Sequence, residues 1–170
     1  YIAMEYVPGG NLRRHIGQPT PIETRINWMV QLCSALFFAH KRNVVHQDIK
    51  PDNIFLTQEG NLKIGDFGLA LIATGHALDR HAKGQGSPAY MSPEICRGEA
   101  PDHRSDIYSL GAVFYELLTG QMPFKAQSLD EMVQKHLKAQ VPAASKINPE
   151  IPPVLDKVLK YMMTKQPAQR

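Results

Sequence analysis

The stretch His46-Gln47-Asp48-Ile49-Lys50-Pro51-Asp52-Asn53, followed a short way on by Asp66-Phe67-Gly68, decides how this chain is read. Phosphoryl transfer needs a carboxylate near the attacking hydroxyl, oxygen ligands for a divalent cation, and a positive charge for the moving phosphoryl group. Asp48, Asn53, Asp66 and Lys50 supply that set. Either aspartate alone reads equally well as an ordinary turn residue. Their joint spacing argues otherwise, because H-x-D-x-K-x-x-N followed across a hairpin by D-F-G is far more specific than the tripeptide by itself.

The hairpin between the two motifs is read from Ile54-Phe55-Leu56 and Leu62-Lys63-Ile64, which flank Gln58-Glu59-Gly60-Asn61. With the apolar pair Val44-Val45 it forms a small sheet among helices. Upstream, Tyr1 to Val7 reads as a short buried strand stopped by Pro8-Gly9-Gly10, and Asn11 as the cap of a short helix through His15. Thr20-Pro21-Ile22-Glu23 reads as a capping box opening a long core helix from Pro21 to His40, with Ile26, Met29, Val30, Cys33 and Phe37 inward.

Downstream, periodicity disappears from Gly65 to Pro93, a length that marks a functional loop. Helical spacing resumes over Ser105–Thr119 through Ile107, Leu110, Val113, Phe114, Leu117 and Leu118, and Gly120 supplies the stop. That helix is apolar on most sides, which predicts deep burial. Ser128-Leu129-Asp130-Glu131 reads as a capping box for a helix to Lys138, and Pro153 to Met163 as a last helix with Val154, Leu155, Val158, Leu159 and Met162 inward. The fold class is therefore mainly α with a small β component.

The chain has 170 residues, 43% of them hydrophobic, enough for one domain with a sizeable core and too few for a second. Its net charge of +3 is too mild to point to nucleic acid or an acidic membrane surface, and neither is expected as a partner of this segment. Cys33 and Cys96 lack metal-ligand spacing and are expected to be buried free thiols in a reducing, cytoplasmic setting. His76, His81, His103 and His136 share no spacing that suggests a metal site and are expected at the solvated surface, as are Lys41-Arg42 and the charges between Lys135 and Lys138.

Over essentially its whole length the chain resembles the protein kinase family, and most of all the bacterial eukaryotic-like Ser/Thr kinases. His46–Asn53 resembles their catalytic loop, Asp66-Phe67-Gly68 their metal-binding motif, Gly86-Ser87-Pro88-Ala89-Tyr90-Met91-Ser92-Pro93-Glu94 the end of their activation segment (66–94), and Asp106-Ile107-Tyr108-Ser109-Leu110-Gly111 the start of their central buried helix. The resemblance implies the helical C-terminal lobe of a kinase domain across 1–170, with residues 1–10 as the hinge. It implies that Asp48 orients the substrate hydroxyl and accepts its proton while Lys50 steadies the γ-phosphate. Asn53 and Asp66 would hold Mg²⁺, or Mn²⁺, against the phosphates of ATP. Backbone groups of Glu5 and Val7 would pair with the adenine edge, with Met4 at the back of the pocket, Phe55 on its floor and Asn11 near the ribose. A plain edge strand followed by a turn explains the apolar residues there equally well.

Lys50, two residues after Asp48, resembles the Ser/Thr-specific pattern, so the implied substrates are Ser and Thr hydroxyls of proteins. Ser87 would bond toward Asp48 and Lys50, although a Gly-Ser-Pro turn holds a hydroxyl for local reasons too. His46 and Phe67 would pack in the core, Asp106 would accept hydrogen bonds from catalytic-loop amides, and Glu94 and Arg170 would form an ion pair anchoring the activation segment.

Three departures from the family pattern stand out. Gln47 replaces the Arg that usually receives an activation-loop phosphate, and a neutral amide cannot make that charge-assisted contact. Ser92 and Tyr108 stand where Ala and Trp are usual. No Gly-rich loop, strand Lys or helix Glu precedes Tyr1, which reads as truncation of an amino-terminal lobe and implies that the isolated segment transfers little phosphate. A pseudokinase or docking module using the same fold is the competing function.

Overall fold

The computed structural model describes residues 4–67 and 88–170. Residues 1–3 and 68–87, including Ser87 and most of the stretch expected to be an activation segment, lie outside the described residues, and so does whatever the sequence implies for them.

The central element is a helix over His103–Thr119, here α3 once α1 (Ile22–His40) and α2 (Pro93–Cys96) are counted; α4 covers Leu129–Lys138 and α5 covers Pro153–Met162. Strands β1 (Ile54–Leu56) and β2 (Leu62–Ile64) form the antiparallel hairpin read from sequence, in the register Ile54 to Ile64, Phe55 to Lys63 and Leu56 to Leu62. Val44-Val45 does not join it, and Val44 is exposed. The lobe is mainly helical with this one small sheet.

α3 begins two residues before Ser105 because Asp102 is its cap. The Arg104 amide donates to Asp102 Oδ1 at 2.8 Å, and the Asp102 amide donates to Ser105 Oγ at 3.3 Å, which satisfies two backbone donors that a helix start leaves without partners. The helix stops at Gly120, whose φ of 71° suits a residue without a Cβ. Tyr108, Leu110, Phe114, Tyr115, Leu117 and Leu118 are all buried, as its nearly all-round apolar sequence predicts.

α1 packs on α3 and β2 with a different face from the one expected. Trp28, Met29, Leu32, Leu36 and Ala39 point inward, whereas Val30, Cys33 and Phe37 are exposed. Two adjacent apolar stripes share the helical period, and periodicity does not choose between them. The stripe carrying Trp28 and two leucines offers the larger area to bury. The outer aromatics lie under cations instead: Arg42 sits 3.5 Å from the centre of the Phe38 ring and Lys41 Nζ 5.4 Å from that of Phe37. The helix starts at Ile22 with no side-chain cap, so the expected box at Thr20–Glu23 does not form; Pro21, at the N-cap itself, has an extended ψ of 143°.

α5 likewise presents one face only to α3. Leu159 and Met162 are buried, Leu155 is half-buried, and Val154 and Val158 face solvent, contrary to expectation. Its approach is close, since a Cβ on Gly111 would lie 2.8 Å from Met163 Cγ and 3.0 Å from Met162 Cβ. On α4, Ser128 Oγ accepts from the Glu131 amide at 3.1 Å, but the Glu131 carboxylate reaches the Gln127 amide at 2.8 Å, so the box closes one residue early. His136 of the same helix, expected at the surface, is fully buried against Tyr108 and Phe124.

At the start of the chain, Met4 to Val7 forms no strand among the described residues, and Met4 and Tyr6 are exposed. Gly10 closes a turn onto the Val7 carbonyl at 3.2 Å, and its own carbonyl accepts from the Leu56 amide at 2.8 Å. Leu12–His15 then makes a single 3₁₀ turn; Asn11 precedes it without a side-chain cap bond.

Candidate active site

Residues 46–53 run between the end of α1 and β1, and buried side chains fix both ends. Asp106, near the start of α3, accepts from the His46 amide at 2.8 Å with Oδ2 and from the Gln47 amide at 2.8 Å with Oδ1, as expected. His40 Nε2 lies 2.8 Å from the same Oδ2. A carboxylate that is 1% exposed therefore meets donors on both oxygens, which offsets the cost of burying it. Gln47 has a φ of 67°, left-handed for a residue with a Cβ, and its bond to Asp106 holds it there.

His46 is fully buried and links the loop to the next motif. Its Nε2 lies 2.7 Å from the Gly65 carbonyl, its ring packs 4.7 Å from that of Phe67, and the Asp48 amide donates to its Nδ1 at 3.2 Å. The Asp48 amide as donor makes Nδ1 the acceptor, so Nε2 carries the proton. Phe67 itself is 39% exposed, so it packs on one side only among the described residues.

The loop gathers three of the four chemical residues directly. Lys50 Nζ donates to Asp48 Oδ2 at 2.7 Å, and Asn53 Nδ2 donates to the Asp48 carbonyl at 2.9 Å and to Oδ2 at 3.1 Å. A 3₁₀ turn at Pro51–Asn53 brings Asn53 back onto Asp48. The fourth is positioned through backbone: the Gly65 amide donates to the Asn53 carbonyl at 2.8 Å, which sets Asp66 just beyond the end of β2. Asp66 adopts a φ of 61°, and Gly65 has no room for a Cβ, which would lie 2.7 Å from the Phe55 ring. Phe55 is thus pressed against the glycine before Asp66.

The donor chemistry suits a hard cation. Both hydrogens of the Asn53 amide are spent on Asp48, which leaves Oδ1 turned away from that residue, and the Asp66 carboxylate accepts no hydrogen bond from the described residues. Among the described residues no three His, Cys, Asp or Glu side chains gather as a preformed metal cage. An ion such as Mg²⁺ uses few protein oxygens and takes the rest from water and phosphate.

A second cluster beside the loop was not anticipated. Arg13, in the 3₁₀ turn Leu12–His15, donates through Nη1 to Glu116 Oε1 at 2.8 Å and through Nη2 to Asp52 Oδ2 at 3.2 Å and Tyr90 Oη at 2.6 Å. Tyr90 Oη donates to Glu116 Oε2 at 2.5 Å. Burial works against the guanidinium charge, but Tyr90, Glu116 and Asp52 hold its pKa above its ordinary value. Burial and Glu116 push the Tyr90 phenol up, so it stays a donor. Each residue looks ordinary in sequence, and only the fold brings positions 13, 52, 90 and 116 together.

The ion pair expected between Glu94 and Arg170 is present. Arg170 Nη2 to Glu94 Oε2 is 2.5 Å and Nη1 to Oε1 is 2.9 Å, with both side chains buried. Near the start of the chain, Glu5 is exposed and its carboxylate accepts from Lys63 Nζ at 2.6 Å. Asn11 Oδ1 is buried without a hydrogen-bond partner among the described residues. No helix among the described residues is long and apolar enough to cross a membrane.

The protein kinase domain profile matches residues 1–170. The chain belongs to the protein kinase family. It is 39% identical over 172 residues to the serine/threonine-protein kinase PrkC of Bacillus subtilis, 38% identical over 174 residues to PknB of Mycolicibacterium smegmatis, and 37% identical over 175 residues to Pkn1 of Myxococcus xanthus. Each match covers all of this chain and 26%, 28% and 25% of those relatives respectively. The chain thus spans about a quarter of the length of the relatives it matches, and its helical architecture with one hairpin is that of the family's C-terminal lobe.

Proposed function

We propose that this chain is the catalytic and substrate-binding lobe of a Ser/Thr protein kinase that moves the γ-phosphate of ATP to Ser or Thr hydroxyls of proteins. The observation that supports it best is the Asp48 carboxylate held between Lys50 Nζ at 2.7 Å and Asn53 Nδ2 at 3.1 Å. Asp48 Oδ1 makes no hydrogen bond to the described residues, so a substrate hydroxyl can donate there while Oδ2 is fixed. Such positioning turns the attack into an effectively intramolecular event.

Lys50, whose Nζ is bonded to Asp48 Oδ2, would place its charge beside the acceptor hydroxyl and offset the negative charge of a phosphoryl group in flight. Asn53 Oδ1 and Asp66 would hold Mg²⁺, which, when bound with ATP, neutralises phosphate charge and orients the leaving group. His46 and Asp106 are positioning residues: they fix the loop backbone and do not touch substrate. Glu5 and Val7 would present hinge backbone toward the adenine, with Met4, Asn11 and Phe55 around it.

The test is phosphotransfer from Mg-ATP to a protein substrate by the full-length protein, alongside Asp48→Asn and Asp66→Asn. Both variants should lose at least about a hundredfold in kcat/KM, the lower end of general-base and charge-stabilising contributions. Activity retained in Asp48→Asn would remove Asp48 from the reaction, and inactivity of the unaltered full-length protein would leave the docking-module reading in its place.

A further inference from the structure

The outer face of α1 carries charged and apolar groups in an order that matches itself. Glu23, Ile26, Val30, Cys33, Phe37 and Lys41, the last being the C-cap of the helix, follow at three- and four-residue steps and so share one side of it. Phe37 is 63% and Val30 58% exposed; Glu23, Cys33 and Lys41 are exposed too, and Ile26 is half-buried. Phe38, beside the stripe, differs because the Arg42 guanidinium already covers its ring at 3.5 Å. Neither Glu23 nor Lys41 makes an ion pair among the described residues.

The stripe thus runs from an acid through apolar groups to a base over about 27 Å of helix, at roughly 1.5 Å per residue. Laid parallel on a second copy of itself, it would set Glu23 against Glu23 and Lys41 against Lys41. Laid antiparallel, it would set each Glu23 against the partner's Lys41, with the midpoint level with Leu32. In that register Phe37 enters the hole framed by the partner's Glu23, the partner's Ile26, the partner's Asn27 and the partner's Val30. A second exposed apolar stripe, Val154, Val158 and Tyr161 on α5, lacks this property: it runs beside Lys157 and Lys160, and Asp156, the acid of that helix, is held by Ser145.

We propose that the outer face of α1 is a homodimer interface, on which the same face of a second copy packs antiparallel about a twofold axis level with Leu32. Such a contact is isologous, so each complementary pair occurs twice. One helix face covers less than the roughly 800 Å² per partner of a standard interface, so the dimer is weak and depends on concentration. The proposal does not depend on the kinase reading. Cys33 lies one residue from the axis, so the two thiols stand about 3 Å apart along the helices, across an interaxial gap of about 8–10 Å. A short bis-maleimide spans that separation.

The test is bis-maleimide cross-linking of the full-length protein at micromolar concentration, with the Cys33–Cys33 product identified by peptide mass mapping. Glu23→Lys, Lys41→Glu and Phe37→Glu, all at exposed positions, should each slow formation of that product about tenfold, the scale of two ion pairs turned into like-charge contacts or of the buried ring lost from both copies. An equimolar mixture of Glu23→Lys and Lys41→Glu should restore it, because both contacts are again between opposite charges; the recovery also shows that the two variants are folded. Absence of the Cys33–Cys33 product from the unaltered protein would overturn the proposal, as would a rate indifferent to the charge reversals. So would a Cys33 that resists N-ethylmaleimide in dilute full-length protein, which would mean that another part of the chain covers this face.

Discussion

Glu94 and Arg170 meet as two parallel hydrogen bonds of 2.5 and 2.9 Å across 76 residues, with the pair sealed from solvent. Ser105 Oγ adds a donor to Glu94 at 2.7 Å, and Arg170 Nη1 also donates to the Arg104 carbonyl at 2.6 Å. Burial opposes ionisation of Glu94, but the bonds from Arg170 and Ser105 prevail and hold its carboxyl below the usual range. Removing one partner strands a buried charge. Arg170→Ala and Glu94→Ala should each lose about 3–5 kcal/mol in urea unfolding, and the double variant should lose less than the sum. Because the folded pKa is depressed, the contribution is present above the unfolded value of about 4.3 and lost as pH falls through the folded one. Equal acid-limb slopes in the unaltered protein and Glu94→Gln would contradict this.

His136 predicts a separate acid effect at higher pH. Burial, reinforced by the charge of Lys165, pulls its pKa down from 6.5 to about 4. Tyr108 Oη lies 3.0 Å from His136 Nδ1 and accepts from Lys165 Nζ at 3.2 Å, so a second positive charge has no welcome there. Between pH 6.5 and 4 the unfolded chain binds a proton that the folded chain refuses, so stability falls as pH falls through this window. The loss should be about 2 kcal/mol at pH 5 relative to pH 7.5. In His136→Gln the same interval should be flat by chemical denaturation; a persisting slope would assign it to another group.

What the sequence made legible follows from how local each signal is. The loop at 46–53, the hairpin and the helix stop at Gly120 depend on neighbours within a few residues, and the structure places them where the pattern does. The face of α1 was misread, since Cys33 and Phe37 lie on an apolar stripe as regular as the one carrying Leu32 and Leu36, and only the surface of α3 decides between them. His136 gave no sign of burial, because Tyr108 is 28 residues away. The Arg13 cluster was invisible for the same reason: its partners Glu116 and Tyr90 are 103 and 77 residues distant.

The two thiols should behave oppositely. Cys33 is exposed on the outer face of α1, while Cys96 is buried beneath α4 with its pKa pushed up to about 12, chiefly by burial and then by Glu94. Burial of its immediate surroundings raises Cys33 as well, so it should react as an accessible but unactivated thiol. Alkylation with N-ethylmaleimide at pH 7.5, followed by peptide mass mapping, should mark Cys33 under native conditions and Cys96 only after denaturation. Native labelling of Cys96 at the rate of Cys33 would mean that α4 opens readily.

Gln47 carries the last prediction, about control. Its backbone is held at φ 67° by the Asp106 carboxylate at 2.8 Å, so the loop is fixed without help from the Gln47 side chain. A cationic side chain there could be linked to a phosphate on the stretch between Gly68 and Gly86, but an amide lacks the charge for that bond. Thr74 is the sole hydroxyl residue between Gly68 and Gly86 and so the natural acceptor for such a phosphate. In the full-length protein Thr74→Ala should keep kcat/KM within about twofold, since no charge-assisted contact worth more is lost. Loss of activity in Thr74→Ala with recovery in Thr74→Glu would show that phosphate control reaches the loop by another route. Gln47→Arg should have the opposite effect and make activity depend on Thr74 phosphorylation, because the loop backbone is already shaped to present that side chain and only the charge is missing.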